Sequence, residues 1–245
     1  MGKRSTWLVR LGVVLLAAAL GLTMYNLRQS NDAAQTTAQV LRELETALPE
    51  RREPAQTPSA AVSTPETEPK PDYVLNPDME MPVTRVQNRD YIGVLTIPAL
   101  GLELPIISTW DYPSLRVSPC RYTGSVYTDN MIIAAHNYAS HFGRLRELSP
   151  GDSLTFQDID GNVFSYTVAD LELIDPYDIP QMTAGDWDLT LFTCTLGGQQ
   201  RVTLRCDRTD AVRHGSKCNP PERTALGGSF ATSKILSAHR IAHAM

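Results

Sequence analysis

The sequence predicts an all-β globular domain, a barrel or a sandwich, carried behind an N-terminal membrane helix and a disordered linker. Three observations predict it. Eight short β-type runs crowd residues 92–206, most of them separated by turn signals: Pro98 with Gly101, Pro150-Gly151-Asp152, Asp160-Gly161-Asn162 and Gly197-Gly198. Helical options in that stretch are brief, around Tyr112–Leu115 and Phe142–Leu148. The composition ahead of it changes twice, from apolar to proline-rich and then to alternating.

The chain of 245 residues opens with Lys3, Arg4 and Arg10, then an apolar run from Leu11 to Tyr25 with Trp7-Leu8-Val9 ahead of it. Arg10 can snorkel to the interface, and the basic residues place the N-terminus in the cytoplasm. We read residues 1–28 as an uncleaved membrane anchor. A cleaved signal peptide is the competing reading, but Ala17-Ala18-Ala19 lies inside the apolar run rather than after it. The start MGKRST also fits an N-myristoylation pattern, which a span makes redundant.

Residues 29–82 form the next unit. Val40, Leu41, Leu44 and Leu48 recur at helical spacing behind Asp32, a juxtamembrane helix read as frayed and polar that Pro49 ends. From Pro49 to Pro82 proline stands at eight positions among Ser, Thr, Glu and Ala. Such a stretch cannot offset its ordering entropy by burial, so an extended linker is expected, reaching up to roughly 100 Å at about 3.1 Å per residue.

The globular domain is expected over residues 83–208. Its eight runs are Ile92–Ile97, Leu102–Ile107, Met131–Ala135, Leu154–Gln157, Val163–Val168, Leu171–Ile174, Leu189–Thr193 and Arg201–Cys206. Residues 209–245 are polar and turn-rich, with a weak helical pattern from Ile235, and are read as a disordered tail. The net charge of −5 supplies no basic surface for nucleic acid. Four cysteines are too few for a disulfide framework in a chain this long. A Cys206–Cys218 bridge, or a zinc site with His214 between them, is an alternative, but that spacing fits no common zinc pattern. No metal and no cofactor is expected.

The chemistry concentrates in Leu189 to Arg205, LTLFTCTLGGQQRVTLR. Gly197-Gly198 suits a two-residue type I′ turn, which pairs residues whose numbers sum to 395. Cys194 then faces Arg201 across the ladder at roughly 5 Å between Cβ atoms. Alternation places Leu189, Leu191, Val202, Leu204 and Cys206 on a core face and Thr190, Phe192, Cys194, Arg201, Thr203 and Arg205 on the other. A guanidinium beside a thiol stabilises a thiolate, and also an oxyanion formed near the sulfur.

Thr190-Leu-Phe-Thr-Cys194 resembles the TLxTC signature of sortases, the cysteine transpeptidases of Gram-positive cell surfaces. Arg201 stands where that family places its arginine, and His136, closing the apolar run Met131-Ile-Ile-Ala-Ala, where it places its histidine. The similarity covers about Tyr91 to Arg208. It implies a closed eight-stranded sortase-type β-barrel, in agreement with the strand count. It further implies Cys194, His136 and Arg201 as catalytic residues, with Phe192, Thr193 and Thr195 binding substrate. The implied partners are proteins bearing an LPxTG-like sorting signal, an amine acceptor (a lipid-linked cell-wall precursor or a pilin lysine), and the membrane that anchors the enzyme. The catalytic domain is expected on the extracellular side.

Two features depart from the family pattern: Ala135 precedes His136 where glycine is common, and Cys120 stands in Ser118-Pro-Cys-Arg. The connection from Ile174 to Leu189 lacks the helical insertion of class B, which leaves classes A, D and E open. The alternative from another class is a membrane-tethered β-barrel that binds peptides or wall polymer without catalysis. Papain-like or amidase-like hydrolases fit less well, because they usually place cysteine at a helix N-terminus, ahead of histidine.

Overall fold

The structure, a computed structural model, describes residues 3–47 and 71–209. Nine strands make one sheet: β1 (Thr84–Val86), β2 (Arg89–Ile97), β3 (Leu102–Ile107), β4 (Cys120–Thr123), β5 (Met131–Ala134), β6 (Ser153–Asp158), β7 (Val163–Ile174), β8 (Leu189–Cys194) and β9 (Arg201–Arg208). Their order is β1-β2-β3-β4-β5-β8-β9-β7-β6, and β6 returns to pair with β2. Eight strands therefore close into a barrel, with β1 added as a short hairpin partner of β2. Closure leaves the eight barrel strands no open sheet edge.

The sequence also counts eight strands, but not the same eight. The runs Val163–Val168 and Leu171–Ile174 are one strand, β7, bent by a register shift between Val168 and Asp170. β4 is the strand that local pattern misses: Cys-Arg-Tyr-Thr is short and half polar, and its pairing comes from outside, parallel to β3 and antiparallel to β5. Tertiary context overrides β propensity in both places.

The barrel interior holds Leu95, Ile97, Ile106, Ile133, Phe156, Phe164, Leu191, Leu204 and Cys206 among others. A second apolar layer covers part of the outside, from Val94, Ile107, Leu115, Cys120, Ile132, Ala134 and Phe192 to Met182. β5 reads Met-Ile-Ile-Ala without alternation because it runs parallel to β8 and is covered on both faces. The covering also changes the reading of the hairpin. Thr190, Phe192, Cys194, Arg201, Thr203 and Arg205 do face away from the barrel interior, yet none is more than 8% exposed.

Helix α1 runs unbroken from Lys3 to Ala47, through the boundary expected between residues 28 and 29. Its second half is not frayed. Ala33, Thr37, Val40 and Leu44 recur every three or four residues and are buried against the barrel, where α1 packs on β3 and β1. Burying Val40 and Leu44 contributes about 1.5–3 kcal/mol each, which accounts for a helix that propensity alone leaves marginal.

The packed domain also begins earlier than residue 83. Helix α2 (Asp72–Leu75) sets the Tyr73 ring on that of Tyr127, 4.8 Å between centroids, and Met81 joins the interior. Cys206 is a buried free thiol. Of the linker expected from Pro49 to Pro82, residues 49–70, and of the tail expected over residues 209–245, residues 210–245 with His214 and Cys218, lie outside the described residues.

Candidate active site

Three strand ends meet at one end of the barrel. β8 and β9 pair from Leu189 with Cys206 to Cys194 with Arg201, which is the register the sequence predicts. The turn differs. Thr195 N–H donates to the Gln200 carbonyl (2.9 Å) and Gly198 N–H to the Thr195 carbonyl (2.8 Å), so the chain reverses over residues 196–199. A four-residue loop and the two-residue loop share a midpoint, and the register is unchanged. Gly197 and Gly198 hold φ of 87° and 72°, the left-handed region that favours glycine.

At the end of this ladder, Arg201 Nη1–H donates to Cys194 Sγ at 3.0 Å. Both side chains are buried, Arg201 at 2% exposure. Its Nε has no hydrogen-bond partner, and no ion pair among the described residues engages it. The guanidinium thus keeps one buried donor, Nε, without a partner beside the sulfur. Burial raises the pKa of the Cys194 thiol and Arg201 opposes that rise; burial is the larger effect. The arginine therefore acts on the thiol in the direction read from the sequence, without making a resting thiolate.

β5 delivers His136. Ala134 pairs with Phe192, and Ala135 N–H donates to the Phe192 carbonyl at 3.1 Å, so the parallel pairing outlasts the strand. His136 follows Ala135, two residues past the end of β5, as Cys194 stands two residues past Phe192 on β8. Burial lowers the His136 pKa, and Arg116, at the C-terminal end of α3 (Tyr112–Leu115), lowers it further. Tyr138 lies beside the imidazole, 5.1 Å between centroids, and between it and the fully buried His141 at 5.4 Å. His141 is pushed down to about 4, first by burial and then by His136.

The loop that follows is tied to His136 itself: Phe142 N–H donates to the His136 carbonyl, and His141 and Gly143 N–H both donate to that of Tyr138. Gly143 is required by this closeness, since a Cβ there would collide with the carbonyls of Asn137 and Tyr138. Cys194, Thr193 and Thr195 line a cleft of about 380 Å³ together with Asn137, Phe142 and Leu196. Phe192 does not line it; its ring packs edge-on against Tyr122 at 5.7 Å, in the outer apolar layer. Tyr138, Gly143 and Arg116 are not singled out in the sequence reading. A glycine-bearing loop after the histidine is the signal for Tyr138 and Gly143, while Arg116, at the end of α3, has no such local signal.

Arg205, four residues beyond Arg201 on the same face, is buried and engaged in hydrogen bonding to a neighbouring helix. It donates to the carbonyls of Gln181 and Met182 (both 2.8 Å) and to Thr190 Oγ1 (3.1 Å), and lies 3.7 Å from Glu172. These bonds clamp helix α4 (Ile179–Thr183) onto the barrel wall.

A closed eight-stranded barrel thus carries a cysteine, an arginine and a histidine at or just past the ends of three neighbouring strands. Residues 95–209 match the family profile described as the sortase domain. The barrel is therefore a sortase domain, covering just under half of the chain. No curated protein matches the chain. Among solved structures it is similar to sortase C1 of Streptococcus suis, with 21% identity, 51% of this chain and 76% of that chain covered, and a TM-score of 0.44. A sortase D5 transpeptidase of Clostridium perfringens gives 20% identity, 49% and 79% coverage and a TM-score of 0.45. Sortase C1 of Streptococcus agalactiae gives 20%, 59% and 79%, and 0.45.

Proposed function

We propose that this protein is a membrane-anchored sortase that cleaves an LPxTG-like sorting signal through a Cys194 thioester and passes the acyl group to an amine. The observation that carries the reading is the 3.0 Å contact of Arg201 with Cys194, on a strand whose neighbour β5 leads into His136. The Cys194 thiolate attacks the threonine carbonyl carbon; the C–S bond forms and the carbonyl electrons move to oxygen. Arg201 donates to that oxyanion. Collapse breaks the C–N bond, and His136 as imidazolium gives its proton to the departing amine. The neutral imidazole then takes a proton from the incoming amine, which forms the new amide as the C–S bond breaks.

Thr193 and Thr195 line the cleft beside the sulfur and would contact the peptide there, whereas Phe192 would act from the outer layer. The acceptor is the amine of a lipid-linked wall precursor or of a pilin lysine. With ordinary pKa values the thiolate–imidazolium pair is on the order of 1% of molecules at neutral pH. Here the thiol is raised and the imidazole lowered, so the pair is scarcer still. The apolar part of α1 is the anchor, and Lys3, Arg4 and Arg10 leave the barrel on the extracellular side.

Intact-mass measurement of the chain with a library of sorting-signal peptides tests the reading. A mass increase equal to the acyl fragment, on Cys194 and reversed by hydroxylamine, is the expected result. A barrel that binds such peptides without any covalent adduct would be the non-catalytic binding module instead.

A further inference from the structure

The second half of α1 does more than cover the barrel, and where it touches the barrel has a consequence for the active site. From Trp7 to Leu27 the helix carries exposed large apolar side chains around its circumference. Those twenty-one residues are about 31 Å long, the thickness of a bilayer's hydrocarbon core. Arg10 lies within a turn of one end and Tyr25 near the other, where amphipathic side chains sit at the interface.

The barrel begins where this band stops. Gln29 Oε1 accepts from the Tyr138 hydroxyl (3.5 Å) and the Ser30 carbonyl from Ser140 Oγ (3.4 Å). Ala33, Thr37, Val40 and Leu44 are then buried in turn, and Glu43 Oε1 accepts from Gln87 Nε2 at 3.0 Å. Neither glycine nor proline occurs between Tyr25 and Leu44, so the helix has no built-in hinge between span and dock.

The register decides which end of the barrel faces the membrane. Ser140 belongs to the loop after His136, at the end where Cys194 and Arg201 stand. Gln87 lies in the β1–β2 turn, and β2 leaves that turn to pair Gly93 with Asp158, beside the β6–β7 turn. α1 thus runs from the active-site end to the opposite end. Gln29, which holds Tyr138, is two residues past Leu27, and Tyr138 touches His136.

We propose that the active-site end of the barrel rests on the membrane surface, with α1 as a rigid strut. The His136–Ser140 loop then meets phospholipid headgroups, and the enzyme acts on peptide bonds held within about 10 Å of the bilayer. The proposal rests on α1 being the anchor. It replaces the picture of a barrel held far out on the proline-rich stretch, since the docked helix, and not the linker, sets the barrel's height.

The full chain, reconstituted in vesicles of phosphatidylcholine and phosphatidylglycerol with a headgroup nitroxide lipid, tests the orientation. A fluorophore is placed at Ala139→Cys or at Asp160→Cys, each with Cys194→Ala and Cys218→Ser. Position 139 is expected to be quenched severalfold more strongly than position 160, which sits in the β6–β7 turn. Equal quenching, or stronger quenching at 160, overturns the proposal. Loss of the chain from the vesicles in alkaline carbonate would remove the anchor reading and this proposal together. Acyl-enzyme formation on a soluble peptide would still report separately on the acyl-transfer reading.

A second arm uses the otherwise unaltered chain with six Gly-Ser residues inserted between Arg28 and Gln29. Cleavage of a soluble peptide should be unchanged, while cleavage of a peptide anchored in the same vesicle should slow about tenfold as the effective concentration falls. Equal rates on the anchored peptide, with and without the insert, would also overturn the strut.

Discussion

Arg201 and Arg205 stand on one strand, on one face, each 2% exposed, yet they have different partners. Arg205 is engaged by two carbonyls, a threonine hydroxyl and a nearby carboxylate, all from its own fold. Among the described residues Arg201 makes one side-chain hydrogen bond, to the sulfur of Cys194. A buried guanidinium that the fold satisfies is a structural clamp. One that the fold leaves short of acceptors carries a desolvation cost with little structural return, and it is suited to bind charge that appears only during a reaction. Burial and residue type are the same at the two positions; partners decide the role.

The sharpest break between the two regions comes at the sulfur. Cys194→Ala should abolish acyl-enzyme formation and leave the thermal unfolding midpoint within a few degrees of wild type. A mutant that still forms the adduct would remove Cys194 from the mechanism. Next, Arg201→Ala should lower the single-turnover acylation rate about 100-fold or more, the scale of losing one oxyanion donor. Arg201→Lys should recover little of it, because a point charge does not reproduce the guanidinium fork. Neither change should destabilise the barrel substantially, since few native bonds are lost.

Arg205→Ala should do the reverse. Urea unfolding is expected to show a loss of about 2–4 kcal/mol, because the carbonyls of Gln181 and Met182 lose their donor as α4 comes loose. The acylation rate should fall far less than for Arg201→Ala. If Arg205→Ala left stability untouched and crippled catalysis, the distinction between clamp and catalytic group would be wrong.

His141 offers a smaller test at the same end of the barrel. Its folded-state pKa, about 4, lies below the ordinary histidine value, so between the two the unfolded chain binds more protons. Its contribution to stability is therefore complete above pH 6.5 and lost as pH falls. Unfolding free energy should drop by about 2 kcal/mol between pH 6.5 and 5 on this account, and less steeply in His141→Phe. Parallel curves for the two proteins would show that His141 is not the group responsible.

The mildest effect is on the pH profile. With the thiol raised and His136 lowered, kcat/KM should follow a broad bell whose acid limb lies below about 6.5 and whose alkaline limb lies above about 8.5. Limbs displaced inward, toward neutrality, would mean that the pair is stabilised as an ion pair in solution. Arg116→Ala should move the acid limb upward, since that cation disfavours the imidazolium.

The hairpin shows why part of this site is legible in sequence. Strand alternation and a symmetric turn are local, so the order Thr-Cys, Gly-Gly, Arg sets Cys194 opposite Arg201 whether the loop has two residues or four. The apolar run ending at His136 is legible for the same reason, as a fully buried strand has few other uses for Met-Ile-Ile-Ala. By contrast, β4 has no local signal, because its pairing is made by strands distant in sequence.

By itself, then, the sequence determined the strand register at the Cys194–Arg201 hairpin, the inner core face and the apolar helix, all of which follow from periodicity over a few residues. Tertiary structure alone decided what lies over the outer face. Whether Arg205 is exposed or clamped depends on α4, whether Cys194 is raised or lowered depends on burial against Arg201, and whether residues 29–44 fray or dock depends on β1 and β3. These are sums of contacts between segments that no local pattern contains. They are also what turns two arginines on one strand into two different devices.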